Sequence, residues 1–162
     1  MVQTFAKDFD ELEVGERFTT EERAIAMTDV MAFAELTGDT HPQHTDAEWA
    51  RDSLFGEQIA HGLLVLSAAA GLVPFDPDRV VALRKVSDAV FKAPVKIGDT
   101  VHVEGQITKA RRLDDDHGLV ECRWKVLNQD GKLVLRVAVE VVWRRGSLKD
   151  SAEPAASDSV LI

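Results

Sequence analysis

The sequence predicts an α+β fold, in which a group of helices precedes an antiparallel sheet that curls around the most apolar helix. Three observations lead to this expectation. Apolar residues follow helical spacing before Pro74, whereas apolar and polar residues alternate strictly after it. One stretch, residues 60–73, is so apolar that it has almost no polar face. The chain has 162 residues and is 45% hydrophobic, which suits a single core.

Three helices are predicted in the first half of the chain. Residues 28–37 have helical spacing, with Thr28 as the expected N-cap and Gly38 as a left-handed stop. A second helix begins at Thr45, because residues 45–48 read as a capping box. The third, residues 60–73, is expected to be buried on nearly all sides.

The second half of the chain is predicted to consist of strands with one buried face. Residues 128–131, Asn-Gln-Asp-Gly, have the composition of a hairpin turn between two of them. The expected strands lie within residues 80–91, 101–107, 120–126 and 133–143. We expect residues 1–146 to form one domain, and residues 147–162 to form a flexible acidic tail.

Composition excludes several classes of function. The chain has 28 acidic and 19 basic residues, a formal charge of −9, which argues against nucleic acid as a partner. The longest apolar stretch, residues 63–75, is shorter than the ~20 residues of a membrane span, and the first fifteen residues do not resemble a signal peptide. A single cysteine excludes a disulfide framework and fits a cytoplasmic protein.

The densest group of titratable residues lies in residues 38–46, between two predicted helices. Asp39 and His44 are five residues apart, so a carboxylate and an imidazole can converge on one water molecule and exchange protons near neutral pH. At the start of the apolar helix, Gly62 leaves the first backbone amides accessible. They could stabilise a carbonyl oxygen that becomes negative during a reaction.

These segments resemble the MaoC-like family of (R)-specific enoyl-CoA hydratases. Residues 33–44, which contain Gly-Asp-x-x-Pro-x-His, resemble the hydratase motif of that family. Residues 60–62, Ala-His-Gly, resemble its second signature, and Ser67 follows at the family's offset. Residues 9–15 and 93–100 resemble the family's opening and its strand-entry turn.

The resemblance implies a hot-dog fold, a curled antiparallel sheet wrapped around a central helix, and a homodimer. It implies hydration of trans-2-enoyl thioesters to (R)-3-hydroxyacyl thioesters, or the reverse dehydration, without a cofactor. By this analogy Asp39 and His44 are the catalytic pair, Gly62 faces the thioester carbonyl, and Ser67 supports the site. The substrate would be an acyl-CoA or an acyl-carrier-protein thioester.

Two residues depart from the family pattern. His41 stands where the family usually has asparagine, and we expect it to change hydrogen bonding beside the catalytic pair. Gln43 stands where an aliphatic residue is usual, and we expect it to make that wall of the site less apolar. His61, at the start of the apolar helix, is a further candidate for a supporting role.

Alternatives remain open at this stage. Two histidines and neighbouring carboxylates could bind a metal, but the intervening proline and the resemblance favour acid–base chemistry, so we expect no metal. A thioesterase, or a non-catalytic hot-dog subunit that shapes a partner's acyl tunnel, would share the same fold. Substrate phosphates would need local cations; the candidates are Lys92, Lys96 and Arg111, with Lys85 and Arg112 as weaker additions.

Overall fold

A computed structural model describes residues 4–146, and the predicted acidic tail, residues 147–162, lies outside the described residues. Two short 3₁₀ turns, Thr4–Ala6 and Phe9–Glu11, precede the first strand. The elements that follow are β1 (Arg17–Thr19), β2 (Arg23–Ala24), α1 (Met27–Thr37), α2 (Pro42–Thr45), α3 (Ala47–Arg51), α4 (Gly62–Leu72), β3 (Val80–Phe91), β4 (Thr100–Arg112), β5 (His117–Asn128) and β6 (Leu133–Arg144).

The six strands form one antiparallel sheet in the order β1-β4-β5-β6-β3, with β2 also paired to β4. The four predicted strands are confirmed as β3 to β6. The turn at residues 128–131 is also confirmed: Gly131 adopts φ +71°, which a residue with a side chain rarely does. Within the described residues, β3 pairs only with β6 and forms an edge of the sheet.

Helix α4 packs against the concave face of this sheet. One face of the helix, formed by Leu64, Val65, Ala68 and Ala69, is buried in a core with strand residues such as Trp124 and Trp143. The expected hot-dog arrangement of a curled sheet and a central helix is therefore confirmed. Among the described residues, no helix has both the length and the apolar character needed to cross a bilayer.

The expectation that this helix is buried on nearly all sides is wrong for the described chain. Leu63, Ser67 and Gly71 recur at four-residue spacing and are exposed, so they form one stripe along α4. Leu63 is 62% exposed. Mean apolarity showed that the helix belongs near a core, but it could not show which side the sheet covers.

The predicted N-caps are each displaced from the observed ones. Helix α1 begins at Met27, and the Asp29 carboxylate accepts the Ala26 amide at 2.8 Å, so Thr28 is not the cap. Helix α3 is capped by Asp46, whose carboxylate accepts the amides of Glu48 and Trp49. The predicted cap was Thr45; the carboxylate prevails because its charge favours the positive helix terminus.

Strands β1 and β2 and helix α2 were not predicted, because elements of two to four residues show no period. One residue of β4, Gly105, does indicate where β1 pairs with it. An added Cβ at Gly105 would lie 2.0 Å from the ring of Phe18 in β1, so only glycine lets the two strands pair closely at this point.

Candidate active site

The candidate site is a cavity of ≈ 440 Å³ between the amino end of α4, the α1–α2 connection and the segment after β3. Four polar or charged residues line it: Asp39, His44, His61 and Lys92. Much of its apolar wall comes from Phe55, Ile59, Leu63, Val65, Phe91 and Val134. The structure therefore brings together the two motifs that the sequence places about twenty residues apart.

His44 lies in α2 and is held in one tautomer. Its Nδ1 is 2.7 Å from the Ile59 carbonyl oxygen. Because a carbonyl oxygen only accepts, Nδ1 must carry the proton, and Nε2 keeps the lone pair in the neutral ring. A neutral imidazole with a free Nε2 beside a cavity is suited to act as a general base.

The surroundings of His44 lower its pKa below the ordinary value of 6.5. Burial is the largest cause, because desolvation disfavours the imidazolium. The charges of His61 and His41 also lower the pKa, while the Ile59 carbonyl and the Asp39 carboxylate raise it. The net lowering of the His44 pKa favours the unprotonated ring at neutral pH.

Asp39 follows the end of α1, where Gly38 adopts φ +76° and turns the chain toward the cavity. This position of Gly38 as the helix stop was predicted correctly. The Asp39 carboxylate is exposed and accepts the His41 amide at 3.5 Å. One potential ligand atom each of Asp39, His44 and His61 lies within 4.8 Å of the others, so the predicted pair does converge.

His61 is 2% exposed and connects the two halves of the site. Its Nε2 lies 2.9 Å from the backbone oxygen of Asp39. Its ring stacks on that of His44, with centroids 3.9 Å apart and planes 30° apart. The sequence indicated a supporting role but no particular contact, since no local pattern links residues 22 positions apart.

The same three side chains are the candidates for holding a metal ion. One nitrogen of each ring is engaged with a carbonyl oxygen, so His44 Nε2 and His61 Nδ1 are the ring nitrogens that remain for an ion or a proton.

Gly62 is the first residue of α4 and lines the cavity. No side chain caps this helix, so its first amides remain available to a ligand. An added Cβ at Gly62 would lie 2.8–3.0 Å from three ring carbons of Phe91. Glycine thus allows the close approach of the Phe91 ring, which would have to shift for any larger residue; the sequence carries no recognisable sign of this contact.

His41 and Gln43 hold local structure and do not line the cavity. The exposed His41 is the N-cap of α2, and its Nδ1 accepts the Gln43 amide at 3.1 Å. Gln43 is buried, and its side-chain amide donates to the Glu57 carbonyl at 2.9 Å. The expectation that Gln43 makes a cavity wall less apolar is wrong, because its side chain holds the loop before α4 instead.

Ser67 also lies away from the cavity in the described chain. Its hydroxyl donates to the Leu63 carbonyl, one helical turn earlier, at 2.8 Å, and not to Asp39 or His44. This bond satisfies the hydroxyl within its own helix. It leaves the predicted supporting role of Ser67 without a contact to the pair.

The three candidate cations have different surroundings. Lys92 lines the cavity. Lys96 lies nearby but pairs with Glu57 at 2.5 Å. Arg111 lies toward the far end of β4, where it is opposite Leu119 of β5 in the strand register. The cavity lies at the other end, beside the segment that precedes β4. Within one chain, Arg111 is therefore too distant for the role expected of it.

Comparison with known proteins agrees with this geometry. Residues 10–128 match the family described as MaoC like domain. The chain is 38% identical over 103 residues to Protein MaoC of Klebsiella aerogenes, which covers 63% of this chain but only 31% of that protein. It is 30% identical over 124 residues to the (R)-specific enoyl-CoA hydratase of Aeromonas caviae, covering 76% of this chain and 90% of that enzyme.

A solved structure shows the same fold. The MaoC-like dehydratase from Rhodospirillum rubrum superposes with a TM-score of 0.78 at 28% identity, covering 88% of this chain and 99% of that one. The family match spans both the Asp39–His44 segment and the start of α4. The resemblance recognised from the motifs is confirmed, and this chain belongs to the MaoC-like domain family.

Proposed function

We propose that this protein hydrates trans-2-enoyl thioesters to (R)-3-hydroxyacyl thioesters, or catalyses the reverse dehydration. The observation that carries the proposal is the tautomer of His44, whose Nδ1–H donates to Ile59 and whose Nε2 is left free beside Asp39. The similarity to an (R)-specific enoyl-CoA hydratase and to a MaoC-like dehydratase supports it.

In the proposed hydration, Asp39 and His44 hold one water molecule at the cavity. His44 Nε2 removes a proton from the water molecule while the water oxygen bonds to C3 of the substrate. The electrons of the double bond move toward the thioester carbonyl, whose oxygen rests on the amide of Gly62. The same pair then returns a proton to C2, so H and OH add to one face. The thioester is the electron sink, and no cofactor is required.

Lys92 is the cation that we assign to the phosphates of a coenzyme A or acyl-carrier-protein thioester. It lines the cavity, and none of the ion pairs among the described residues includes it. Lys96 is already paired with Glu57. A lysine ammonium at the mouth would also offset the acidic character of the chain, which carries a formal charge of −9.

We further propose that residues 1–146 act as one domain in a homodimer or a higher even oligomer. The edge strand β3 presents apolar side chains that a second copy would cover. We propose the cytoplasm as the compartment of this protein, which suits a chain whose only cysteine, Cys122, is buried, with the pKa of its thiol raised by burial to about 12.

The function is tested with crotonyl-CoA, by following absorbance of the enoyl thioester beside a free-thiol assay. We expect absorbance to fall without release of thiol, and the product to be the (R)-3-hydroxyacyl thioester. Release of thiol would instead identify a thioesterase. No change in either assay, in a folded sample over a panel of chain lengths, would favour a non-catalytic subunit.

A further inference from the structure

His61 has contacts that the proposed reaction does not by itself require. It is 2% exposed, lies immediately before α4, and reaches back to the backbone oxygen of Asp39 at 2.9 Å. One face of its ring stacks on His44, with centroids 3.9 Å apart. The ring of Phe33 lies 5.0 Å away, so His61 is enclosed between α1 and α2.

The hydrogen bonds determine where the His61 proton lies. Because the Asp39 oxygen only accepts, His61 Nε2 must be the donor. His61 Nδ1 is buried and has no hydrogen-bond partner among the described residues. A proton on that nitrogen would have no acceptor, and an unpaired buried donor is costly. In the neutral ring the proton therefore lies on Nε2.

We propose that His61 is a positioning residue for the acid–base pair, an inference that rests on the proposed hydratase function. Its Nε2–H bond holds the backbone of Asp39, and its ring is the platform on which His44 stacks. His61 thereby sets the distance between a carboxylate and an imidazole that come from different elements. In this role His61 acts through Asp39 and His44 and does not itself transfer a proton.

The charged groups around His44 make this arrangement sensitive to protonation. His61 lies against one face of the ring, His41 lies at a ring distance of 6.1 Å, and the Asp39 carboxylate is beside it. A proton taken up by His44 is therefore opposed by the two imidazoles and favoured by Asp39. Removing the His61 imidazole removes one opposing group.

Two substitutions separate the two contacts of His61. His61→Gln keeps an amide donor that can reach Asp39 but removes the platform. His61→Phe keeps an aromatic platform but removes the donor. We expect each to lower kcat by on the order of 10-fold to 100-fold, the scale of a displacement of about 1 Å at a reacting group, with little change in KM. In both, the acidic limb of the pH profile should move to higher pH.

His102→Gln is the matched control, because His102 lies on β4 outside the cavity. It should change neither kcat nor the acidic limb. Unchanged kcat and an unmoved limb in both His61 variants would overturn the proposal. A fall in kcat with an unmoved limb in folded variants would show a merely structural role, and would overturn it as well.

The wild-type protein supplies a test that is independent of folding of the variants. Long-range ¹H–¹⁵N spectra of the histidine rings at pH 7.5 should show His44 with its proton on Nδ1 and His61 with its proton on Nε2. The opposite tautomer at His61 would overturn the positioning role. Absence of hydratase activity with these tautomers present would contradict the proposed function while leaving the geometry of the pair intact.

Discussion

At the scale of single residues, the proposed chemistry depends on which nitrogen of His44 carries the proton. The Ile59 carbonyl determines which nitrogen carries the proton; His44 itself and its neighbours in the sequence do not. Asp39→Asn and His44→Gln should therefore each lower kcat/KM by ~10² or more, the usual contribution of a general acid or base. Steady-state assays with crotonyl-CoA provide the measurement. Melting temperatures close to that of wild type would show that folding is unaffected, and activity within a few-fold of wild type would remove these roles.

The pH profile follows from the same residue. Only unprotonated His44 can accept a proton, and burial lowers its pKa from the ordinary value, so the acidic limb of kcat/KM should lie at lower pH than the titration of a free imidazole. Charge on His41 contributes to this lowering. His41→Asn should thus raise the pKa of His44 and move the acidic limb to higher pH, while asparagine still caps α2. If the profiles of kcat/KM against pH were superimposable for wild type and His41→Asn, His41 would be electrostatically uncoupled from the site.

At the scale of elements, the caps decide where the short helices begin. Asp46 accepts two amides at the start of α3, at 2.9 and 3.0 Å. Asp46→Ala should cost about 0.5–2 kcal/mol of stability, and Asp46→Asn should cost less. Urea unfolding measures both. Thr45→Ala is the control, because the Thr45 hydroxyl donates only to carbonyls of the preceding turn; an equal loss in that variant would contradict the assignment of the cap.

Close packing between α4 and the end of β3 gives a second prediction at this scale. The Cβ of Gly62→Ala would meet the Phe91 ring at 2.8–3.0 Å, so the half-exposed ring must shift, and we expect a small loss of stability together with lower activity. Phe91→Leu in the same chain should relieve the contact, making the two changes non-additive in a double-mutant cycle.

Gly71→Ala is a control on the same helix. No atom lies within 4 Å of an added Cβ there, so this variant should be neutral or slightly more stable. If Gly62→Ala and Gly71→Ala behaved alike in unfolding and in activity assays, the Phe91 contact would have no energetic weight.

At the scale of the whole molecule, apolar surface remains uncovered on one side. β3 has no buried residue, and Leu83 and Val86 on it are 56% and 42% exposed. We expect a dimer or a higher even oligomer in light scattering at micromolar concentration, with Leu83→Lys and Val86→Lys together shifting it toward monomer. Leu113→Lys changes a similarly exposed residue in the turn between β4 and β5, outside the edge strand, and should leave the assembly intact. A monomeric wild-type protein would contradict the proposed assembly.

Much of the fold could be predicted from local pattern. The alternation in β4 to β6 reflects strands with one face toward a core, and Gly38 and Gly131 mark turns through backbone conformations that favour glycine. Asp39 and His44 could be recognised as candidates because both lie within the same short motif. Short elements such as β1 and α2 could not be predicted, since two to four residues are too few to show a period.

The sequence by itself determined the fold class, the four long strands of the sheet and the family to which the chain belongs, and it singled out Asp39 and His44 as the candidate acid–base pair. The tertiary structure alone decided that Ile59 sets the tautomer of His44, that His61 connects Asp39 with His44, and that Lys92 lies at the cavity while Arg111 does not. The physical reason is range. Periodicity, capping and turn chemistry act between residues a few positions apart, whereas hydrogen bonds to distant carbonyls, ring stacking and burial depend on chain segments that only folding brings together.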